Sequence, residues 1–335
     1  MSRYGATILD ADGVSLSADE RAFFRDVNPF GFILFARNIE EPEQVRRLCG
    51  EFREAVGREA LITIDQEGGR VQRLRAPHWR EWLPPLEQAQ RAGAQAARSF
   101  YLRFRIIAHE LRRAGVDSNC APMLDIGFDE THAFLKNRCY GTDVKQICAN
   151  ACAAAEGMLD GGVLPVAKHI PGHGRATADS HCELPSVDAA LDSLREQDFA
   201  PFKALNDLPM GMTAHIRYPA LDAAPATLSK PVMDMIREEI GFEGLIMTDD
   251  ISMKALSGDL GALGRAALDA GCDVILHCNG TLAQRRVVAE AAGEMSDAAL
   301  ARADAALKWR TAPDDVDISA LEEELKALLN GRLHG

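Results

Sequence analysis

The sequence predicts an α/β protein of the (β/α)8 TIM-barrel class, a single domain with a helical extension at its C-terminus. Eight strand-length apolar runs recur along the 335 residues, with helical stretches between them. The runs are continuously apolar rather than alternating, as in parallel strands covered on both faces. Nearly every run ends in a polar or charged residue, the arrangement by which a barrel presents side chains at its strand ends. A doubly wound open sheet shares this periodicity, and the count of eight favours the barrel.

The elements follow in order. Run 6–9 precedes Ser17-Ala-Asp-Glu20, a capping-box pattern that opens a helix to about Asp26. Run 31–35 ends at Ala36-Arg37-Asn38. Run 61–64 ends at Asp65 and enters DQEGGRVQR. A long amphipathic helix over 98–114 follows, closed by Gly115 in the C′ position. Run 116–121 ends at Pro122 and Asp125, and a helix over 143–159 stops at Gly161-Gly162. Run 164–167 delivers Lys168-His169, and run 211–214 delivers His215. Ser229-Lys-Pro231 caps and starts a helix that Gly241 ends. Run 245–248 leads to Asp249-Asp250. Run 273–276 leads to His277-Cys278-Asn279, followed by a helix over 282–294. The charged helical sequence after Ser296 continues through 317–329. The expected division is a catalytic barrel over 1–310 and an extension over 311–335 packed on it.

Composition excludes several functions. A net charge of −13 argues against nucleic acid and against an anionic membrane surface. No segment approaches the roughly 20 apolar residues of a membrane helix, and MSRYGATILDADG has no signal-peptide core. The eight cysteines form no Cys-x-x-Cys pair and several fall in apolar runs. They read as reduced core thiols of a cytoplasmic protein, without disulfide or structural zinc.

Chemistry concentrates in 168–185, KHIPGHGRATADSHCELP, a loop after an apolar run. Asp179 and His181 stand two apart, so the carboxylate can fix the imidazole's tautomer and raise its basicity. A turn in which Asp179 bonds its own backbone is the simpler alternative. Asp65 with Arg73 and Arg138 suggests a polyol site, since a carboxylate accepts adjacent hydroxyls and guanidinium groups fork onto others. Surface ion pairing is the alternative for both arginines. Asp249 is a carboxylate at the end of an apolar run, costly to bury without partners or a task. Asp250 is read as capping 251–256. His215 either orients a carboxylate or fills a polar slot beneath the site, and His173 is given a supporting place beside it.

These strings together resemble glycoside hydrolase family 3, within it the single-domain bacterial β-N-acetylglucosaminidases of peptidoglycan recycling. The likeness runs through GFILFARN (31–38), IDQEGGRVQRL (64–74), CAPMLDI (120–126), KHIPGHG with DSH and LP (168–185), MTAHIRYP (212–219) and GLIMTDDISM (244–253). The resemblance implies that Asp249 is a nucleophile forming a covalent glycosyl-enzyme, with retention of the β configuration. It implies that His181, supported by Asp179, is the general acid/base, a dyad in place of the second carboxylate. Asp65, Arg73, Arg138, Lys168 and His169 match the family's sugar-binding positions. It implies no metal or cofactor, a cytoplasmic monomer, and a substrate of the N-acetylglucosaminyl-anhydromuramyl type.

One departure stands out. The family's Asp-Thr after PGHG is Arg175-Ala176 here, and Arg175 reads either as a contact for acidic leaving groups or as a solvated charge. Rival readings are a metal-dependent barrel hydrolase, a substrate-assisted hexosaminidase using Asp249-Asp250, and a non-catalytic sugar binder. The first wants His-x-His at the first strand end, where the chain has Leu9-Asp-Ala-Asp-Gly13.

Overall fold

The computed structural model describes residues 3–178 and 183–331, so Asp179, His181 and Cys182 lie outside the described residues. Eight parallel strands are present: β1 (Gly5–Leu9), β2 (Pro29–Leu34), β3 (Leu61–Ile64), β4 (Ser118–Asn119), β5 (Leu164–Ile170), β6 (Met210–Thr213), β7 (Leu245–Met247) and β8 (Ile275–His277). They run in two series, β8-β1-β2-β3 and β4-β5-β6-β7. Two seams close them into a barrel. Asp117 and Cys120 donate their backbone N–H groups to the Ile62 and Ile64 carbonyls at 3.1 and 2.8 Å. Met247 bridges Val274 on the other side. The last strand meets the first, Leu9 opposite His277. Side chains on both strand faces are buried, as the uninterrupted apolar runs require.

Flanking helices follow their local signals. In Ala18–Val27 the Ser17 hydroxyl and the Glu20 carboxylate cap each other's backbone N–H groups. Helix Pro42–Val56 opens on proline and ends at Gly57, which has φ +65°. Its Phe52 stacks on Phe32 of β2 at 4.1 Å between ring centroids. Helix Leu260–Ala270 is capped by Asp259.

Two strands differ from expectation, and both differences shape the site. The expected run 116–121 forms a ladder only over Ser118–Asn119. Side chains add to the backbone bonds beside it. The Asn119 amide exchanges hydrogen bonds with the Gln66 backbone at 2.9 and 3.1 Å, and Asp117 accepts the Ile62 N–H at 2.7 Å. Strand β5 runs three residues further than expected, so Lys168 and His169 belong to the strand itself. Its register against β6 shifts between Ala167 and Ile170, where the Lys168–His169 peptide is cis.

Helix Ile318–Leu328 lies against helix Ala96–Arg113. Leu325 is fully buried there, and Arg98 forks onto Glu324 at 2.7 and 2.8 Å. Arg80 joins Glu110 and Glu322, each at 2.7 Å. The expectation of core thiols needs one correction: Cys152 is exposed on the outer face of helix Val144–Asp160. No helix among the described residues is long and apolar enough to cross a membrane.

Candidate active site

The C-terminal ends of the strands surround a cavity of about 300 Å³. Asp65, Arg73, Arg138, Lys168, His169, His173 and Asp249 all line it. His215 does not; it lies beneath.

The floor is a chain of alternating charges. Asp65 accepts Lys168 Nζ at 3.0 Å on one oxygen and Arg73 Nη2 at 3.0 Å on the other. Glu67, fully buried, accepts Nε and Nη2 of Arg138 at 2.9 and 2.8 Å and also pairs with Lys168. Isolated buried charges at such depth would be prohibitive, whereas a paired and hydrogen-bonded set is tolerated. Burial pushes both carboxyls up, but the cations outweigh it. Lys168 and Arg73 hold Asp65 far below the usual carboxylate range, and Arg138 and Lys168 bring Glu67 to about 2. For Lys168 burial works downward, yet Asp65 and Glu67 raise it above its usual value. The floor therefore stays fully ionised, with carboxylates that only accept and cations that only donate.

Glu67 was absent from the predicted site residues. It stands two residues after Asp65, and the i, i+2 spacing of an extended segment is the signal that could have found it. Arg138 is correspondingly more constrained than a lone sugar contact, being forked onto Glu67 at the cavity wall.

Asp125 holds the second group. Its carboxylate meets His169 Nδ1 at 2.7 Å and accepts the backbone N–H groups of His169 and His173. Burial pushes Asp125 up, and the His169 imidazole and these hydrogen bonds bring it below its ordinary value. A ring held through Nδ1 presents Nε2 as its other bonding position. His173 is buried with no hydrogen-bond partner on either ring nitrogen among the described residues, and burial pushes it down to about 4.

Asp249 follows β7 and is half-buried, opening onto the cavity rather than lying deep in the strand layer as its sequence setting suggested. One oxygen accepts the Asp250 N–H at 2.8 Å; the other has no partner among the described residues. Asp250 accepts the Ser252 N–H and hydroxyl at 3.0 and 2.8 Å, capping its turn. His215 bonds the Thr227 hydroxyl at 2.8 Å and the Asp250 carbonyl at 3.0 Å, so it holds the backbone behind Asp249 and orients no carboxylate directly. Burial lowers its basicity.

Arg175 fits neither sequence-based reading. Its Nε bonds the buried Asp198 at 2.7 Å, its Nη2 reaches Gln197, and its guanidinium lies 4.4 Å over the Phe128 ring. It is partly exposed but engaged by protein partners rather than held free for a ligand. A further residue the sequence reading passed over is Asp10, fully buried at the β8–β1 seam. Asp10 accepts Arg285 Nε and the Asn279 N–H, each at 2.7 Å, and pairs with Arg37. Among the described residues no group of three His, Cys, Asp or Glu side chains converges to hold a metal ion.

Comparison with known proteins gives a consistent picture. Residues 8–307 match the family model for the glycosyl hydrolase family 3 N terminal domain. The chain is 39% identical over 282 residues to a β-hexosaminidase of Pseudomonas aeruginosa, covering 82% of each. It is 40% identical over 281 residues to a β-hexosaminidase of Methylococcus capsulatus, covering 81% of this chain and 82% of that one. The solved structure of NagZ from Neisseria gonorrhoeae matches with a TM-score of 0.84 at 27% identity, over 98% of this chain and 97% of that one. A glycoside hydrolase family 3 β-N-acetylglucosaminidase from Paenibacillus matches with a TM-score of 0.84 at 29% identity, over 96% and 67%.

Proposed function

The chain belongs to glycosyl hydrolase family 3, and from that premise we propose that this β-N-acetylhexosaminidase is a retaining exo-enzyme. It removes non-reducing terminal N-acetylglucosamine from peptidoglycan-derived muropeptides, as a cytoplasmic monomer needing no cofactor. The observation that carries the reading is the oxygen of Asp249 that has no partner among the described residues, in the same cavity as the ionised floor. A cavity of about 300 Å³ is at the small end of ligand pockets and suits one sugar ring. A floor of fixed acceptors and donors, each charge paired with an opposite one, suits the hydrogen-bonding pattern of sugar hydroxyls.

Two displacements make up the proposed reaction. The free oxygen of Asp249 attacks the anomeric carbon as the bond to the glycosidic oxygen breaks, and His181 gives that oxygen its proton. Asp179 stabilises the imidazolium and fixes its tautomer. Water, deprotonated by His181, then displaces the Asp249 ester from the opposite side, so the β configuration is retained. Asp65, Arg73, Arg138, Lys168 and His169 hold the ring. An imidazole suits both steps because its ordinary pKa of about 6.5 lets it donate and accept near neutrality.

A fluorinated N-acetylglucosaminyl donor, followed by mass spectrometry of the digested protein, is expected to label Asp249. Asp249→Asn is expected to lose nitrophenyl N-acetylglucosaminide turnover by orders of magnitude. Unchanged turnover in that variant, or a product released as the α anomer, would sink the mechanism.

A further inference from the structure

Four permanently cationic side chains line the cavity: Arg70, Arg73, Arg138 and Lys168. Three are committed to Asp65 and Glu67. Arg70 is exposed at the rim and has neither an ion pair nor a side-chain hydrogen bond among the described residues. Of the neighbouring arginines, Arg37 is taken by Asp10 and Asn279, and Arg175 by Asp198 and Gln197.

Arg70 is also held in place. It occupies the turn of a hairpin pairing Gln66–Gly68 with Val71–Gln72. The Gly69 N–H bonds the Trp82 carbonyl at 2.9 Å, and Arg75 Nη2 bonds the Gly69 and Arg70 carbonyls at 3.0 and 3.4 Å. The guanidinium lies 3.8 Å over the ring of Phe134, on the helix Ala133–Lys136. Stacking uses the face of a guanidinium and leaves its in-plane N–H donors available, the geometry that meets a carboxylate edge-on.

We propose that Arg70 is a specificity-determining residue that binds a carboxylate on the leaving group. The inference rests on the proposed glycosidase reading, in which the N-acetylglucosamine ring attacked by Asp249 fills the floor and its leaving group faces the rim. In a chain of net charge −13 an anionic substrate is repelled by the bulk of the protein, and a fixed guanidinium at the mouth, with no ion-pair partner among the described residues, offsets that locally.

Arg70→Gln tests it on three substrates: N-acetylglucosaminyl N-acetylmuramic acid, the same disaccharide as its methyl ester, and neutral nitrophenyl N-acetylglucosaminide. The acid is expected to lose kcat/KM roughly tenfold more than the ester, mainly through KM, and to lose its salt dependence. Arg70→Lys is expected to recover part of the preference. Equal losses on acid and ester, or none, would overturn the assignment. Wild-type turnover of the nitrophenyl glycoside separates the two ideas. If it occurs without an Arg70-dependent preference, only Arg70's role fails; if all three substrates resist the wild-type enzyme, the underlying reading fails too.

Discussion

His173 shows how a single buried ring sets a pH limit. Its imidazole is pushed down to about 4 by burial, with neither nitrogen hydrogen-bonded among the described residues. In the unfolded chain it titrates near 6.5. Between about 6.5 and 4 the unfolded state therefore holds a proton that the folded state refuses. Stability is fully present above that window and falls as the pH drops through it. His173→Asn is expected to flatten this part of the curve in urea melts at stepped pH, while retaining the backbone N–H that Asp125 accepts. At this scale the sequence revealed residue types better than their partners. Asp65, Lys168 and His169 were recognisable because strand-end position and motif coincide. Glu67 was not, because nothing local says that Arg138, 71 positions on, forks onto it. Arg175 escaped for the same reason: its partner Asp198 lies 23 residues on, at the end of a helical stretch that begins at Leu191.

The hairpin after β3 carries Asp65, Glu67, Arg70 and Arg73 within nine residues, and its geometry rests on glycine. Gly68 has φ +107°, and a Cβ there would fall 1.7 Å from Arg103 Nη2 and 2.8 Å from Trp82 Cβ. Gly68→Ala combines backbone strain with a collision against a fully buried guanidinium. It is expected to destabilise the fold by at least about 2 kcal/mol in denaturant melts and to raise KM. An unchanged KM would show that the hairpin does not position the sugar contacts. Strand order and most helix ends could be read from apolar runs, caps and terminal glycines. Gly115 and Gly241, for instance, have φ +87° and +75° just past their helices. The shortened β4 ladder could not be read, because side chains of Asp117 and Asn119 share the pairing with the backbone there. Nor could the three residues beyond Ala167, Lys168 to Ile170, that extend β5.

At the scale of the whole molecule, the barrel itself was legible, and residues 311–335 raise the remaining question of what an extension contributes. We expect deletion of 317–335 to lower the melting temperature while leaving nitrophenyl glycoside turnover measurable. The loss should come mainly from burying Leu325, since exposed pairs such as Arg98–Glu324 are worth at most about 1 kcal/mol. Thermal melts at low and high salt check this: a large salt effect would instead credit the ion pairs. The seam between β8 and β1 has a consequence in time. Thr7 finds its barrel neighbour in Ile275, and Asp10 finds Arg285 a further turn on. During synthesis at about 5–20 residues per second, the first strand waits tens of seconds or so with one edge unpaired and its carboxylate unmatched. The barrel can close only once most of the chain has left the ribosome. Until then β1 is the nascent chain's exposed β edge, the segment a chaperone would gain most by covering.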